Sequence, residues 1–211
     1  MLAATPADAA SPPPACPTPT GRNGRGRSPY RVIGSIACAI LLVAAPGAAA
    51  EPPEPTMQIS SPAFPHQGRI PRIHTCEGND SAPLLAWEGV PPGTASLALI
   101  VDDPDAPDPK APKMTWVHQV LYDLPPDSAG LPGGAKGDLP PGTRQGKNDW
   151  KRTGWGGPCP PIGRHRYFFK LYALDAKLGD LGEPTKPQLE AAMKGHVLAK
   201  AELIGTYQKG D

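Results

Sequence analysis

Three stretches of the chain are apolar enough, and short enough, to be strands of a buried sheet. Residues 96–101 (SLALIV) form a nearly continuous apolar run with β-branched members, the pattern of a central strand. Residues 115–122 (TWVHQVLY) are rich in β-formers, and residues 166–174 (RYFFKLYAL) are the most aromatic of the three. Val90-Pro91-Pro92-Gly93-Thr94 before the first of them and Leu124-Pro125-Pro126-Asp127 after the second break any strand. Strands separated by Pro/Gly turns predict a sandwich or a barrel. One helix is signalled. Thr185 can cap it, Pro187 lies in its first turn, and Gln188 completes a Thr-x-x-Gln capping box. Leu189, Ala192, Met193 and His196 then share one helical face, and Gly195 ends the helix. After it, Val197, Ala199, Ala201 and Leu203 alternate with polar residues as a last strand would.

Composition divides the chain. It has 211 residues, of which 31 are proline and 24 glycine, about a quarter together. Residues 1–30 are Ala, Pro, Gly, Ser and Arg with almost no large apolar side chain, so they read as a disordered extension. Arg22, Arg25, Arg27 and Arg31 lead into an apolar run that ends in Gly47-Ala48-Ala49-Ala50. Basic, then apolar, then Ala-x-Ala is the secretory pattern, so residues 31–50 read as signal-peptide-like. The run falls short of the roughly 20 residues of a membrane span, so no stable transmembrane anchor is expected after cleavage. The folded domain is then 51–211, in the periplasm or outside the cell. It retains Cys76 and Cys159, either as a disulfide, which an oxidising compartment favours, or as two buried thiols. The net charge of +1 comes from a basic amino-terminal segment and a slightly acidic remainder. A folded part without a basic stripe argues against nucleic acid as a partner.

Several residues could carry chemistry. Asp102-Asp103-Pro104-Asp105-Ala106-Pro107 directly follows a buried strand. Carboxylates crowded at a strand end must be solvated, capped by backbone amides or paired with cations. The alternatives are an exposed Asp-Pro turn or a stiff loop that positions a ligand. Trp116 and His118 are two apart and project to one face of a strand, with Val117 on the other. Together they are either a packed core pair or a semi-apolar wall with one titratable edge. Residues 154–163 (GWGGPCPPIG) form a loop whose exposed N–H groups can make an anion nest, or which serves only as structure. Arg164-His165-Arg166-Tyr167 follows and suits a phosphate or carboxylate. Residues 142–148 (GTRQGKN) miss the P-loop spacing. Without His-Glu-x-x-His or Cys-x-x-Cys no zinc site or other cofactor is indicated, and no Gly-x-Ser-x-Gly marks a nucleophile.

These pieces in order resemble the phosphatidylethanolamine-binding protein family, in its bacterial, Raf kinase inhibitor-like branch. The motifs are Pro83-Leu84-Leu85-Ala86-Trp87, Asp103-Pro104-Asp105-Ala106-Pro107, Trp116-Val117-His118, Gly156-Gly157-Pro158 and Gly163-Arg164-His165-Arg166-Tyr167. The resemblance covers about residues 59–208. It implies a mainly β fold of two antiparallel sheets with Greek-key topology and few peripheral helices, one near the C-terminus. It also implies an anion pocket at one end of the larger sheet that takes phosphate, acetate or a phosphoethanolamine head group. Carried over, Asp103, Asp105, His118 and His165 match the family's pocket acids and histidines. Gly156, Gly157 and Pro158 match its glycine loop, and Trp116, Arg166 and Tyr167 flank the pocket. His118, His165 and the loop amides are expected to donate to the anion, with Asp103 or Asp105 orienting a histidine or accepting from an ammonium group. Gln119 stands where bacterial members usually carry Trp, and strand alternation points it away from His118. The loop of residues 108–114, with Lys110 and Lys113, is expected at the rim.

The leading expectation is a non-enzymatic protein that binds an anionic small molecule or phospholipid head group and regulates a protein partner. An inhibitor of a secreted hydrolase or kinase acting through surface loops is the alternative. A hydrolase of small esters or phosphates lacks an evident nucleophile. A homodimer through apolar edge strands is left open.

Overall fold

The computed structural model describes residues 56–134 and 139–211. The expected extension (1–30) and signal-like segment (31–50) lie outside the described residues. In chain order the elements are β1 (Gln58–Ser60), β2 (Gly68–Arg69), a 3-10 turn at Arg72–His74, β3 (Leu85–Glu88), β4 (Ser96–Asp103), β5 (Trp116–Leu124), β6 (Gly130–Leu131), β7 (Arg144–Gln145), β8 (His165–Leu174), α1 (Lys186–Met193) and β9 (Val197–Tyr207). The small sheet has the order β1-β3-β6, and the large one β2-β9-β8-β4-β5-β7. Within the large sheet β8 returns beside β4, while β5 and β7 continue on its other side, all antiparallel. That is the Greek-key order. Among the described residues the departure from antiparallel pairing is at β2, which meets β9 in parallel over two residues.

The apolar pattern explains the layers. On β8, Tyr167, Phe169, Leu171 and Ala173 join Leu97, Leu99 and Val101 of β4 and Leu85 and Trp87 of β3 in the core between the sheets. The opposite face of the large sheet is covered by α1. There Leu189 and Met193 pack on Ala98, Ile100, Val117, Val120 and Tyr122. Every residue of β4 is therefore buried, which is why its sequence runs apolar without alternating.

The helix starts where its capping box places it. The Thr185 N–H donates to Gln188 Oε1 at 2.8 Å. It stops at Met193, with Lys194 already extended, so His196 lies beyond the helix and meets Asp175 at 2.8 Å instead of extending the apolar face. The five strands of two to four residues (β1, β2, β3, β6 and β7) carry too few positions to show a period.

Candidate functional site

The site is built where β4 ends and β5 and β8 begin. Its key local feature is a β-bulge. Val101 pairs with Gln119 and Asp102 with Val117, so His118 has no partner residue on β4. A bulge sets two residues against one and disturbs the alternation of faces. Val117 and Val120 both pack toward α1, whereas Leu121 returns to the core between the sheets. His118 and Gln119, between them, each line a cavity on the inner side. The expectation that Gln119 points away from His118 is thus corrected, because strict alternation assumes an unbroken ladder.

A cavity of about 340 Å³ is lined by Asp103, Trp116, His118, Trp150, Cys159 and His165, with Met114 and prolines 107, 160 and 161 around it. Its three titratable side chains are almost wholly buried. His118 Nδ1 lies 2.5 Å from the Gly156 carbonyl, and Gly156 N–H donates back to the His118 carbonyl at 3.1 Å. A carbonyl only accepts, so Nδ1 carries the ring proton and Nε2 keeps a lone pair. That Nε2 is buried and has no partner among the described residues. Burial pushes His118 down to about pKa 4, against the pull of its Gly156 bond and of Asp102 and Asp149. At neutral pH it is an uncharged acceptor, not a cation.

His165 is held on both sides. Nδ1 meets Asp103 Oδ2 at 2.7 Å, and Nε2 meets the Ile162 carbonyl at 3.0 Å. Both ring nitrogens are therefore engaged within the protein, and neither is open to a ligand. Burial raises the Asp103 pKa, opposed by the His165 bond and the Asp105 N–H.

Asp102, Asp103 and Asp105, which also read as an exposed turn, are all buried and all partnered. Asp103 orients His165 and accepts the Asp105 N–H at 2.8 Å. Asp105 takes a two-pronged contact from Arg166, Nε at 2.9 Å and Nη2 at 2.7 Å, which holds its pKa below the usual carboxylate range. Neither Asp105 nor Arg166 lines the cavity. Tyr167 is buried against His118, ring centroids 5.1 Å apart, its hydroxyl without a partner among the described residues. Burial raises its pKa.

The glycine loop is used for construction. Gly156 N–H is spent on His118, and Gly157 N–H on Asp80 Oδ1 at 2.6 Å. The Pro158 carbonyl accepts from Cys76 N–H at 3.1 Å, and Cys76 and Cys159 are disulfide-bonded. A Cβ on Gly157 would come within 2.4 Å of Asp80 Oδ1, and one on Gly156 within 2.4 Å of the Trp150 ring. These glycines allow close packing. They do not leave a free anion nest.

Sequence reasoning missed Trp150. Its ring stands edge-on to Trp116 at 5.4 Å and to His118 at 5.2 Å. The signal was the preceding Asn148-Asp149. Asn148 Oδ1 caps the turn by accepting from Trp150 N–H at 3.0 Å, and Asp149 accepts from Val117 N–H at 2.8 Å. Those bonds pin the loop to β5.

His118 predicts an acid sensitivity. It is neutral in the folded chain down to about pH 4 and takes its proton near 6.5 when unfolded. Between those values the unfolded chain binds more protons, so stability present above pH 6.5 is lost as pH falls. The loss should approach about 3 kcal/mol by pH 4. His118→Phe, less stable at pH 7 for want of the Gly156 bond, should show a stability change between pH 7 and 4.5 smaller by about 2 kcal/mol. Urea unfolding at the two pH values measures it, and an unchanged difference would place the acid sensitivity elsewhere.

Comparison with known proteins bears on this geometry. The profile described as phosphatidylethanolamine-binding protein matches residues 60–208. A UPF0098 protein of Methanothermobacter thermautotrophicus is 48% identical over 156 residues, covering 73% of this chain and 100% of that one. One from Aquifex aeolicus is 39% identical over 188 residues, with 84% and 99% covered. Among solved structures, a phosphatidylethanolamine-binding protein homologue from Chlamydia trachomatis is similar with a TM-score of 0.68 and 41% identity, covering 74% of this chain and 99% of its own. YbcL of Escherichia coli, titled a new member of the mammalian family, has a TM-score of 0.65 and 32% identity, with 72% and 98% covered.

Proposed function

The chain belongs to the phosphatidylethanolamine-binding protein family, and on that footing we propose that it is a non-catalytic binding protein for a small oxyanion or phosphorylated head group. The observation that carries the reading is the buried Nε2 of His118, without a partner among the described residues, in a 340 Å³ cavity beside the Asp103–His165 pair. No Lys or Arg side chain lines that cavity among the described residues, and the His165 ring is already engaged by Asp103 and Ile162, so a bare anion binds by bringing a proton to His118. A phosphate monoanion donates its own hydroxyl to Nε2. Sulfate binds as His118 takes up a proton from solvent, since a negative charge alongside raises the histidine pKa. Among the described residues no hydroxyl nucleophile lines the cavity, and its Cys159 sulfur is tied up in the disulfide. The disulfide also supports a life outside the reducing cytoplasm.

The test is a titration of the protein with sulfate, phosphate and O-phosphoethanolamine, followed by tryptophan fluorescence, since Trp116 and Trp150 line the cavity. Sulfate does not titrate in this range, so its affinity should fall by up to about tenfold per pH unit above pH 4, until the pKa of the complex is passed. His118→Ala should lose the binding. Sulfate affinity independent of pH, or intact in His118→Ala, would sink the assignment. A protein partner is the second reading, supported by Met114, Trp150 and Ile162, which are 53%, 39% and 55% exposed beside the cavity. Such a contact should survive His118→Ala.

A further inference from the structure

Gln119, the other residue turned inward by the bulge, belongs to a separate and larger cavity of about 560 Å³. Its walls include Leu85 of β3, Gln119 of β5, Gln145 of β7, Phe169 of β8, and Thr143 and Trp155 from the loops. Trp155 stands between the two cavities, its ring 6.4 Å from His118 on one side and stacked at 6.0 Å on Phe169 on the other. Two polar atoms of this wall are buried with no partner among the described residues, Trp155 Nε1 and Thr143 Oγ1. Trp155 itself is only 9% exposed. No charged side chain lines the cavity among the described residues.

We propose that this second cavity binds an uncharged polyhydroxylated molecule, a mono- or disaccharide or a comparable polyol. Each sugar hydroxyl both donates and accepts, which suits a wall made of one fixed donor (Trp155 Nε1–H), a hydroxyl that does either, and two amides that do both. The C–H faces of a sugar ring suit the aromatic and aliphatic parts of the same wall. A charged ligand would give up its hydration for no counter-charge among the described residues, and an apolar one would leave Trp155 Nε1 and Thr143 Oγ1 unpaired. The volume falls in the range of small-molecule sites. The proposal is independent of the anion reading, because the two cavities draw on different polar groups.

The experiment follows the indole N–H resonances of the 15N-labelled protein during titration with glucose, N-acetylglucosamine, maltose and glycerol, and separately with sulfate and with benzene. Trp155→Phe identifies the Trp155 signal, and if that variant does not fold, the signal is identified from backbone-linked assignment of the native protein. A saccharide or glycerol should shift Trp155 saturably at millimolar concentration while leaving Trp116 in place. Gln119→Leu and Thr143→Val, each kept if its spectrum shows a folded chain, should weaken that response by about tenfold, the loss of one hydrogen bond to a neutral group. The proposal is overturned if no sugar or polyol moves Trp155, if benzene or sulfate alone moves it, or if both variants respond like the native protein.

Discussion

The protein with Cys76→Ser and Cys159→Ser together is expected to be less stable than the native chain by about 4 kcal/mol. The disulfide closes a loop of 83 residues. For a loop of that length the loss of chain entropy in the unfolded state is worth roughly 4–5 kcal/mol. The bond joins the segment after the 3-10 turn to the wall of the smaller cavity, where Cys159 is a lining residue. The Cys76 N–H bond to the Pro158 carbonyl and the Gly157 N–H bond to Asp80 cross the same seam. They hold the native geometry but leave the unfolded chain unconstrained, so they do not replace the covalent tie. Urea unfolding of the oxidised protein, the dithiothreitol-reduced protein and the double variant provides the measurement. A loss below about 1 kcal/mol would mean that the unfolded chain is already constrained without the bond.

Asp102→Ala should cost about 3–5 kcal/mol, the range for removing one member of a buried ion cluster. Asp102 is fully buried on the α1 side of β4, with Asp103 facing the opposite way into the cavity. It binds Lys170 Nζ at 2.8 Å and Lys186 Nζ at 2.5 Å, and both lysine side chains are four-fifths buried. Lys186 opens α1, an end of a helix where a cation is ordinarily disfavoured. The carboxylate beneath it reverses that. Once Asp102 is gone, two ammonium groups are left in a half-dry seam between helix and sheet, with Glu190 3.7 Å from Lys186 and the Phe168 ring 5.4 Å from Lys170. Replacing all three residues with apolar ones, Asp102→Leu with Lys170→Met and Lys186→Met, should restore most of the lost stability, since the desolvation of the charges disappears along with their attraction. A triple variant as unstable as Asp102→Ala would assign the cost to packing at position 102.

How much of this was legible in the sequence depended on whether a feature is written in neighbouring residues. The strands β4, β5, β8 and β9 and the helix α1 were, because alternation, apolar runs and a capping box are local. So was the gathering of Trp116, His118, Asp103 and His165 at one place, once their motifs resembled a family with a pocket there. What each of these groups does was not legible. Asp103 holds His165 across 62 positions and Asp105 holds Arg166 across 61. Asp80 takes the Gly157 amide across 77, and Asp102 reaches Lys186 across 84. No spacing rule connects such pairs, and the acidic loop read equally well as an exposed turn. The glycine amides look available in the sequence and are already used in the fold.

The bulge at His118 marks the boundary most clearly. Residue types and their periods determined by themselves that a strand would carry Trp116, Val117, His118 and Gln119, and that the chain would fold as a β sandwich or barrel with one late helix. Only the tertiary structure decided that His118 has no partner on β4, and so turned two adjacent side chains into two cavities. The reason is that alternation is a property of one strand, whereas a bulge is a mismatch between two.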